Sequence, residues 1–431
     1  MPKQVLAACF AFAVLILAGS QGCVKDHCTQ TYKYFVPVYR TSEQVRANIK
    51  SNAPIAIERA GKLYIRGSYI FLNEIDKGIH IIDNADPSNP RNVAFIDIPG
   101  NMDMAVKGNT LYADAYTDLV TVDITDPLQS KLTCVTEGIF PLRQYYGYFY
   151  ADTSKVIVDW LPRDTTVNVD CGNGGFFGIE FNKHEVLMYN DMAAVLDISS
   201  NAYSSSSPAA SVSPFGAGGS MARFAIAGNY LYTVTTSDLN VFDIHHSLSP
   251  LFSNKAGIGQ NIETIYPFKQ KLFIGSTGGM FIYNINDGAH PQKEGLFAHV
   301  QSCDPVIADD RYAYVTLRTG TACNGLDQID ILDIADVNNP ARVRSYSMTN
   351  PHGLSKDGNL LFICDGRDGL KVYDATDVSK ISLLSVVSDI ETFDVIAMNG
   401  VALVVTSKGL YQYAYADPAH LVLLSKIDVA I

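Results

Sequence analysis

Basic residues are scarce and scattered in this chain. Its 431 residues carry 32 Lys and Arg against 44 Asp and Glu, a net charge of −12. No basic stripe forms, which excludes the electrostatic footprint of a nucleic-acid binder and charge-driven docking on anionic lipid. Charge of either sign is sparse at 18% of residues, while 47% are hydrophobic, the composition of a large core and not of a disordered tail. Trp160 is the single tryptophan. There is no Cys-x-x-Cys pair to hold zinc. No Gly-x-Ser-x-Gly elbow and no His-Glu-x-x-His is present. The Gly-rich stretch 172–178 lacks the Lys-Ser/Thr ending of a phosphate loop. No cofactor and no resident metal is expected.

The N-terminus carries the one long apolar run. Val5 to Ala18 follows Lys3 and is the length of a signal-peptide core, too short to span a bilayer comfortably. Gly19-Ser20-Gln21-Gly22 then leads into Cys23, which resembles the lipobox of bacterial lipoproteins, with Gln21 departing from it. That resemblance implies a signal peptide at 1–22, a lipid on Cys23, and a tether over 23–53. The membrane is then a partner through the N-terminal lipid, and the protein an outer-membrane lipoprotein of a bacterial envelope. The alternative is plain secretion with Cys23 a free thiol.

What the chain has is a period. A hydrophobic phrase ending in Asp or Asn returns as Gly78-Ile79-His80-Ile81-Ile82-Asp83, Leu119-Val120-Thr121-Val122-Asp123 and Leu239-Asn240-Val241-Phe242-Asp243. It returns again to end at Asn284, Asp333 and Asp374, and a last copy ends in Ala414. The steps are 40 residues from Asp83 to Asp123, 41 from Asp243 to Asn284, 49 from Asn284 to Asp333 and 41 from Asp333 to Asp374. A strand rich in Tyr, Leu and Val precedes each phrase, and turns on Asp and Pro follow, as at Asp86-Pro87. Strand-like repeats of this length predict an all-β fold, a seven-bladed β-propeller of four-stranded antiparallel blades over 54–431. The step from Asp123 to Asp243 is 120 residues, so a large insertion, 142–220, falls between the second and third visible blades. Its Ser- and Gly-rich end, 199–220, reads as a flexible loop. The rival arrangement makes Val186–Ile198 the hairpin of a decayed eighth blade. The stretch 54–59 offers an extra strand where the ring closes.

The phrase Gly78 to Asp83 with its Asn84-Ala85-Asp86-Pro87-Ser88-Asn89-Pro90 continuation resembles the LVIVD-repeat family of bacterial envelope propellers. The resemblance covers most of 62–429 outside the insertion. It implies architecture and placement in the envelope. It implies no activity, because that family shares no defined one.

In a propeller the loops that enter the inner strands line one mouth of the channel. Here they carry Asp103, Glu263, Asp304, His352, Glu391 and Asp394. Such a set suits a cation, a polyol or a peptide amine, unless each group merely caps its own turn. His352, between Pro351 and Gly353, is the one candidate general base or ligand among them. His245-His246 sits at the opposite face, where adjacent imidazoles diverge. Trp160, beside the tyrosine run 145–150, suits stacking on a sugar or a protein partner. Three functions remain open: a binding or scaffold module with a protein or glycan ligand, a hydrolase or lyase using the acidic mouth with His352, and an adhesin-like protein using the insertion. Enzyme activity is the less favoured. Six cysteines remain in the mature chain after the anchor, and a Cys303–Cys323 disulfide is expected across the two long loops of the fifth repeat, with Cys303–Cys364 as the rival.

Overall fold

The repeat phrase forms the third strand of each of seven four-stranded antiparallel sheets, numbered here as blades 1 to 7. The computed structural model describes residues 27–142, 152, 154–170, 187–188, 217–299, 302, 305–319 and 325–430. The blades span 60–97, 104–136, 224–257, 262–298, 306–347, 354–387 and 392–428, with the first strand of each innermost. The seven-bladed expectation and the insertion between blades 2 and 3 both hold. Leu187 and Met188 bridge by backbone to Phe35 and Tyr34, outside any blade, and the rest of 186–198 lies outside the described residues.

The acid that ends the phrase has a mechanical reason. Asp83 accepts the Ala85 N–H at 3.1 Å, Asp123 that of Thr125 at 2.9 Å, and Asp243 that of His245 at 2.8 Å. Asn284, Asp333 and Asp374 do the same to the residues two further on, each at 2.8 Å. A second side-chain turn follows in six blades, at Asp86, Asp126, Asp287, Asp336, Asp377 and Asp417. Two successive side-chain turns replace the backbone hydrogen bonds that the chain loses as it crosses from third to fourth strand. Each fourth strand then bulges at the same place, for instance at Val93, Ser253 and Leu384, opposite Ile81/Ile82, Val241/Phe242 and Val372/Tyr373 of the third strands. A bulge tightens the right-handed twist, and repeated seven times it gives every blade the same pitch.

Blades pack through the third residue of their second strands. These are Phe71, Tyr112, Tyr232, Phe273, Tyr314, Phe362 and Leu403, and the six rings are buried almost completely. The Tyr112 hydroxyl donates to Ser247 O of blade 3, and Tyr232 to Gly288 O of blade 4, each at 2.8 Å. Among the described residues no strand is exchanged between blades 7 and 1. Their joint is an apolar cluster of Ile57, Leu63, Ile70, Leu72, Ile396, Leu403, Val405 and Leu410. Asn84 and Gln412 exchange amide hydrogen bonds across it at 3.0 and 2.6 Å, and Ser425 Oγ donates to Pro87 O at 2.6 Å. The segment 54–59 forms no strand there. It lies across the joint as a strap, with Ile57 buried and its carbonyl accepting the Ala430 N–H at 2.7 Å.

Within the stretch read as a tether, His27–Arg40 is a strand paired antiparallel along its length with Val156–Asp170 of the insertion. The helix Ser42–Asn48 follows, started by a Thr41/Gln44 capping box. Val45 and Ile49 are buried in the core of blades 1 and 2. Ser51–Asn52 then adds to the outer strand of blade 1, while the Ser51 N–H donates to Ser130 O at 3.1 Å. A polar-looking leader thus clamps the rims of two blades. Cys23, Cys171, Cys303 and Cys323, and with them the expected disulfide, lie outside the described residues. Cys364 is a buried free thiol and Cys134 a half-buried one, so the rival Cys303–Cys364 bridge is not made.

Hydrogen bonds from the Thr376 hydroxyl and N–H hold the Asp374 carboxyl below its ordinary value. A depressed carboxylate contributes stability above the unfolded pKa of about 4, and loses that contribution as pH falls through the folded value. Asp374→Ala should therefore lower the thermal midpoint at pH 7, whereas Asp374→Asn, which keeps the acceptor, should stay near the parent. The gap between parent and Ala variant should close below about pH 4 in melts followed by circular dichroism.

Candidate functional site

The ring has an entry face, where chains pass into the inner strands, and a turn face, where inner strands turn back. Register divides the entry-face candidates into two sets. Asp103 and Asp394 stand four residues before the strand ends at Lys107 and Met398. Glu263 and His352 stand five before Phe268 and Asp357. Neighbours in an extended strand point opposite ways, so the two sets do not converge. The position of Asp103 and Asp394 is filled in blades 1 and 3 by Lys62 and Arg223. Around the ring, blades 7, 1, 2 and 3 therefore read Asp394, Lys62, Asp103, Arg223, with alternating sign. Lys62 Nζ lies 3.3 Å from Asp103 Oδ2, with both side chains buried. Asp103 also accepts the Met104 N–H at 2.7 Å and the Arg223 N–H. Burial pulls the Lys62 ammonium below its usual value, against the field of Asp103. The acidic mouth expected from sequence is charge-balanced on this side.

The insertion supplies a plug. Ala217–Gly218 pairs with Ile65 and Tyr64 on the free inner edge of blade 1, inside the channel. Ser220 Oγ accepts the Leu354 N–H of blade 6 at 3.1 Å, and Ala222 O accepts the Ile265 N–H of blade 4 at 2.8 Å. Met221 O accepts a hydrogen bond from Lys62 Nζ. Residues 219–222 are buried, so this segment crosses the channel and ties three inner strands together.

His352 is fixed, not poised. Its Nε2 meets Asn350 Oδ1 at 2.6 Å, which makes Nε2 the protonated nitrogen of the neutral ring. Burial, then the Arg318 charge, holds its imidazole well below the usual histidine range. Glu391 sits at the rim 3.5 Å from the exposed Arg367. Asp394 Oδ1 accepts the Val395 N–H at 2.8 Å, Glu263 is buried in blade 4, and Asp304 lies outside the described residues. Burial, with the Asp394 charge next, raises the Cys364 thiol well above its ordinary value. Trp160 is half-buried in the ribbon, paired with Pro37. His245 Nδ1 contacts Asp243 Oδ1 at 2.6 Å. Among the described residues no three His, Cys, Asp or Glu side chains gather to hold a metal.

The open cavity is on the turn face, which the sequence reading did not favour. It measures about 1510 Å³, is floored by Gly219 and Ala222, and is walled by residues of all seven blades. Around blades 4 to 6 its wall carries Phe268, Lys269, Arg311, Tyr312, Tyr314 and Lys356. Tyr314 Oη donates to Asp309 Oδ2 at 2.9 Å, and Lys356 Nζ reaches the same oxygen at 3.1 Å.

Two outcomes follow from the entry face. Lys62→Met leaves the Asp103 carboxylate buried without its ammonium and should cost about 3–5 kcal/mol in chemical denaturation, with much of it restored by adding Asp103→Asn. The folded His352 pKa is depressed, so the unfolded chain binds the extra proton first. Stability should decline as pH drops below about 6.5, and His352→Gln should flatten that part of the profile.

The LVIVD repeat matches residues 59–96, 100–135 and 218–258, which hold blades 1, 2 and 3. No curated protein sequence matches the chain. A protein from Lactobacillus plantarum superposes with a TM-score of 0.50 at 10% identity, over 93% of this chain and 97% of that one. The periplasmic gluconolactonase of Pseudomonas aeruginosa superposes with a TM-score of 0.50 at 11% identity, again over 93% and 97%. At such identities the likeness is one of fold alone. The chain is a seven-bladed β-propeller that carries LVIVD repeats.

Proposed function

We propose that this protein is a binding module of the bacterial envelope, held to the membrane by a lipid on Cys23, with its ligand in the turn-face mouth. The observation that carries the binding reading is the cavity of about 1510 Å³, walled by every blade and floored by the insertion. That volume exceeds the 300–1,000 Å³ or so of an ordinary small-molecule pocket, which suits an extended ligand. Binding is favoured over the hydrolase or lyase reading by His352. Its neutral ring donates Nε2–H to Asn350, and burial together with the Arg318 charge lowers the basicity left at Nδ1. The adhesin-like reading through Trp160 is the weaker, because that side chain is half-buried.

The anchor is tested by fractionation. Cys23→Ala should move the protein to the soluble fraction or leave its signal uncut, and unchanged detergent-dependent membrane association would overturn the lipoprotein reading. The binding reading is tested by thermal shift. Envelope extract should raise the melting midpoint of the purified mature protein in a dose-dependent way, and a midpoint unmoved at every dose would overturn it.

A further inference from the structure

The repeats provide their own standard of comparison, because each blade shows what an unspecialised position holds. The residue after the inner strand, with φ near +55°, is glycine in blades 1, 2, 3 and 6, namely Gly67, Gly108, Gly228 and Gly358. In blade 7 it is Asn399, a residue that tolerates this conformation, and in blade 4 Lys269, both at φ 53°, which a lysine adopts only at a cost. The next residue is Ser68, Asn109, Asn229, Gln270, Asn359 or Gly400 in six blades, and Arg311 in blade 5. The next-to-last inner-strand position is Ile65, Val106, Ile226, Pro267, Ala308 and Ala397 in six blades, and Lys356 in blade 6. Three departures from the repeat therefore fall in three consecutive blades, and all three line the one cavity.

Each departing cation lies over an aromatic ring. Lys269 Nζ is 5.5 Å from the centre of Phe268, the Arg311 guanidinium carbon 5.4 Å from Tyr312, and Lys356 Nζ 5.7 Å from Tyr314. Each also has its own carboxylate. Lys269 pairs with Asp310, Arg311 with Asp333 at 3.1 Å, and Lys356 with Asp309 at 3.1 Å. Three cations against three anions leave this sector without net charge in a chain of −12. An anionic ligand would have to displace the carboxylates, and a cationic one the bases. Half-exposed Phe268 and Tyr312, each with a cation over its ring and packed against the core, leave apolar ring edges near the exposed amides of Gln270 and Asn359. A pyranose ring has that same pairing, a C–H face edged by hydroxyls that donate and accept.

We infer that the turn-face mouth over blades 4 to 6 binds an uncharged oligosaccharide. The inference rests on the binding reading above and names its ligand class. The C–H faces of successive sugars lie against the exposed ring edges of Phe268 and Tyr312. Their hydroxyls accept from Lys269, Arg311 and the amides, and donate to Asp310 without breaking an ion pair.

The test is calorimetric titration of the mature protein with maltohexaose, cellohexaose and chitohexaose, beside hexagalacturonate and an acidic hexapeptide. At least one neutral hexasaccharide should bind, at least tenfold more tightly than the uronate or the peptide, with less than a twofold change in Kd between 50 and 500 mM salt, since no net charge is neutralised. Lys269→Gln and Arg311→Gln should each weaken it tenfold or more at an unchanged melting midpoint, while the entry-face variant Glu391→Gln should not. Any one of three results would overturn the inference: tighter, salt-sensitive binding of the uronate, equal binding of the peptide, or no heat with any of the neutral hexasaccharides. In each case a midpoint still raised by envelope extract would leave the binding reading standing.

Discussion

A ring of blades is only as stable as its last joint. Six of the seven interfaces join blades that follow one another in the chain, but blades 7 and 1 meet across the whole sequence. With no shared strand at that joint among the described residues, side chains must do what backbone pairing does in a closed barrel. The apolar cluster from Ile57 to Leu410, the amide exchange between Asn84 and Gln412, and the 54–59 strap all serve that joint. The uniform bulge and the uniform wedge of Phe71, Tyr112 and their counterparts serve it indirectly. Blades of unequal pitch would bring blade 7 to blade 1 at the wrong angle, and an imperfect apolar joint forfeits contact along its full height.

The two ends of the channel spend their polarity differently. At the entry face, charges are buried and locked. Lys62, Asp103 and Met221 O hold one another, and the plug ties blades 1, 4 and 6. Such a network contributes little net energy against an apolar equivalent, but it tolerates no missing partner. At the turn face, the ion pairs Lys269–Asp310 and Arg311–Asp333 are exposed and weak, and their side chains rearrange at small cost. The entry-face charges fasten blades 7, 1, 2 and 3, whereas the turn-face pairs stand exposed over blades 4 to 6 at the other end of the inner strands.

Much of the fold was legible because the acid after each third strand is forced by the backbone it must satisfy. Asp83, Asp123 and Asp374 recur in sequence for the reason they recur in space. The joint was not legible, because Ala414 dropped the signal there and Ile57 belongs to no repeat. The pairing of 27–40 with 156–170 was hidden as well, since two strands more than a hundred residues apart share no local pattern. For the site, spacing singled out Asp103 and Asp394 but not the bases that alternate with them. Lys62 and Arg223 become their equals only once the inner strands are aligned by their hydrogen-bonded register. Lys269, Arg311 and Lys356 were visible in the letters all along, as exceptions to a rule that only the aligned blades reveal.

The segment that crosses the channel has a bearing on how the molecule comes into being. Residues 217–222 touch inner strands of blades 1, 4 and 6, so their place is complete only when the chain has reached Leu354 of its 431 residues. The early blades emerge with an unfilled axis, and late ones must arrive around a stretch already positioned along it. Contacts of such sequence separation make assembly slow and concerted. They also deny the ring the independence usual in repeat proteins, whose units contact only their neighbours. Loss of blade 1, 4 or 6 should therefore loosen the axis for the other two, which couples blades far apart in the ring.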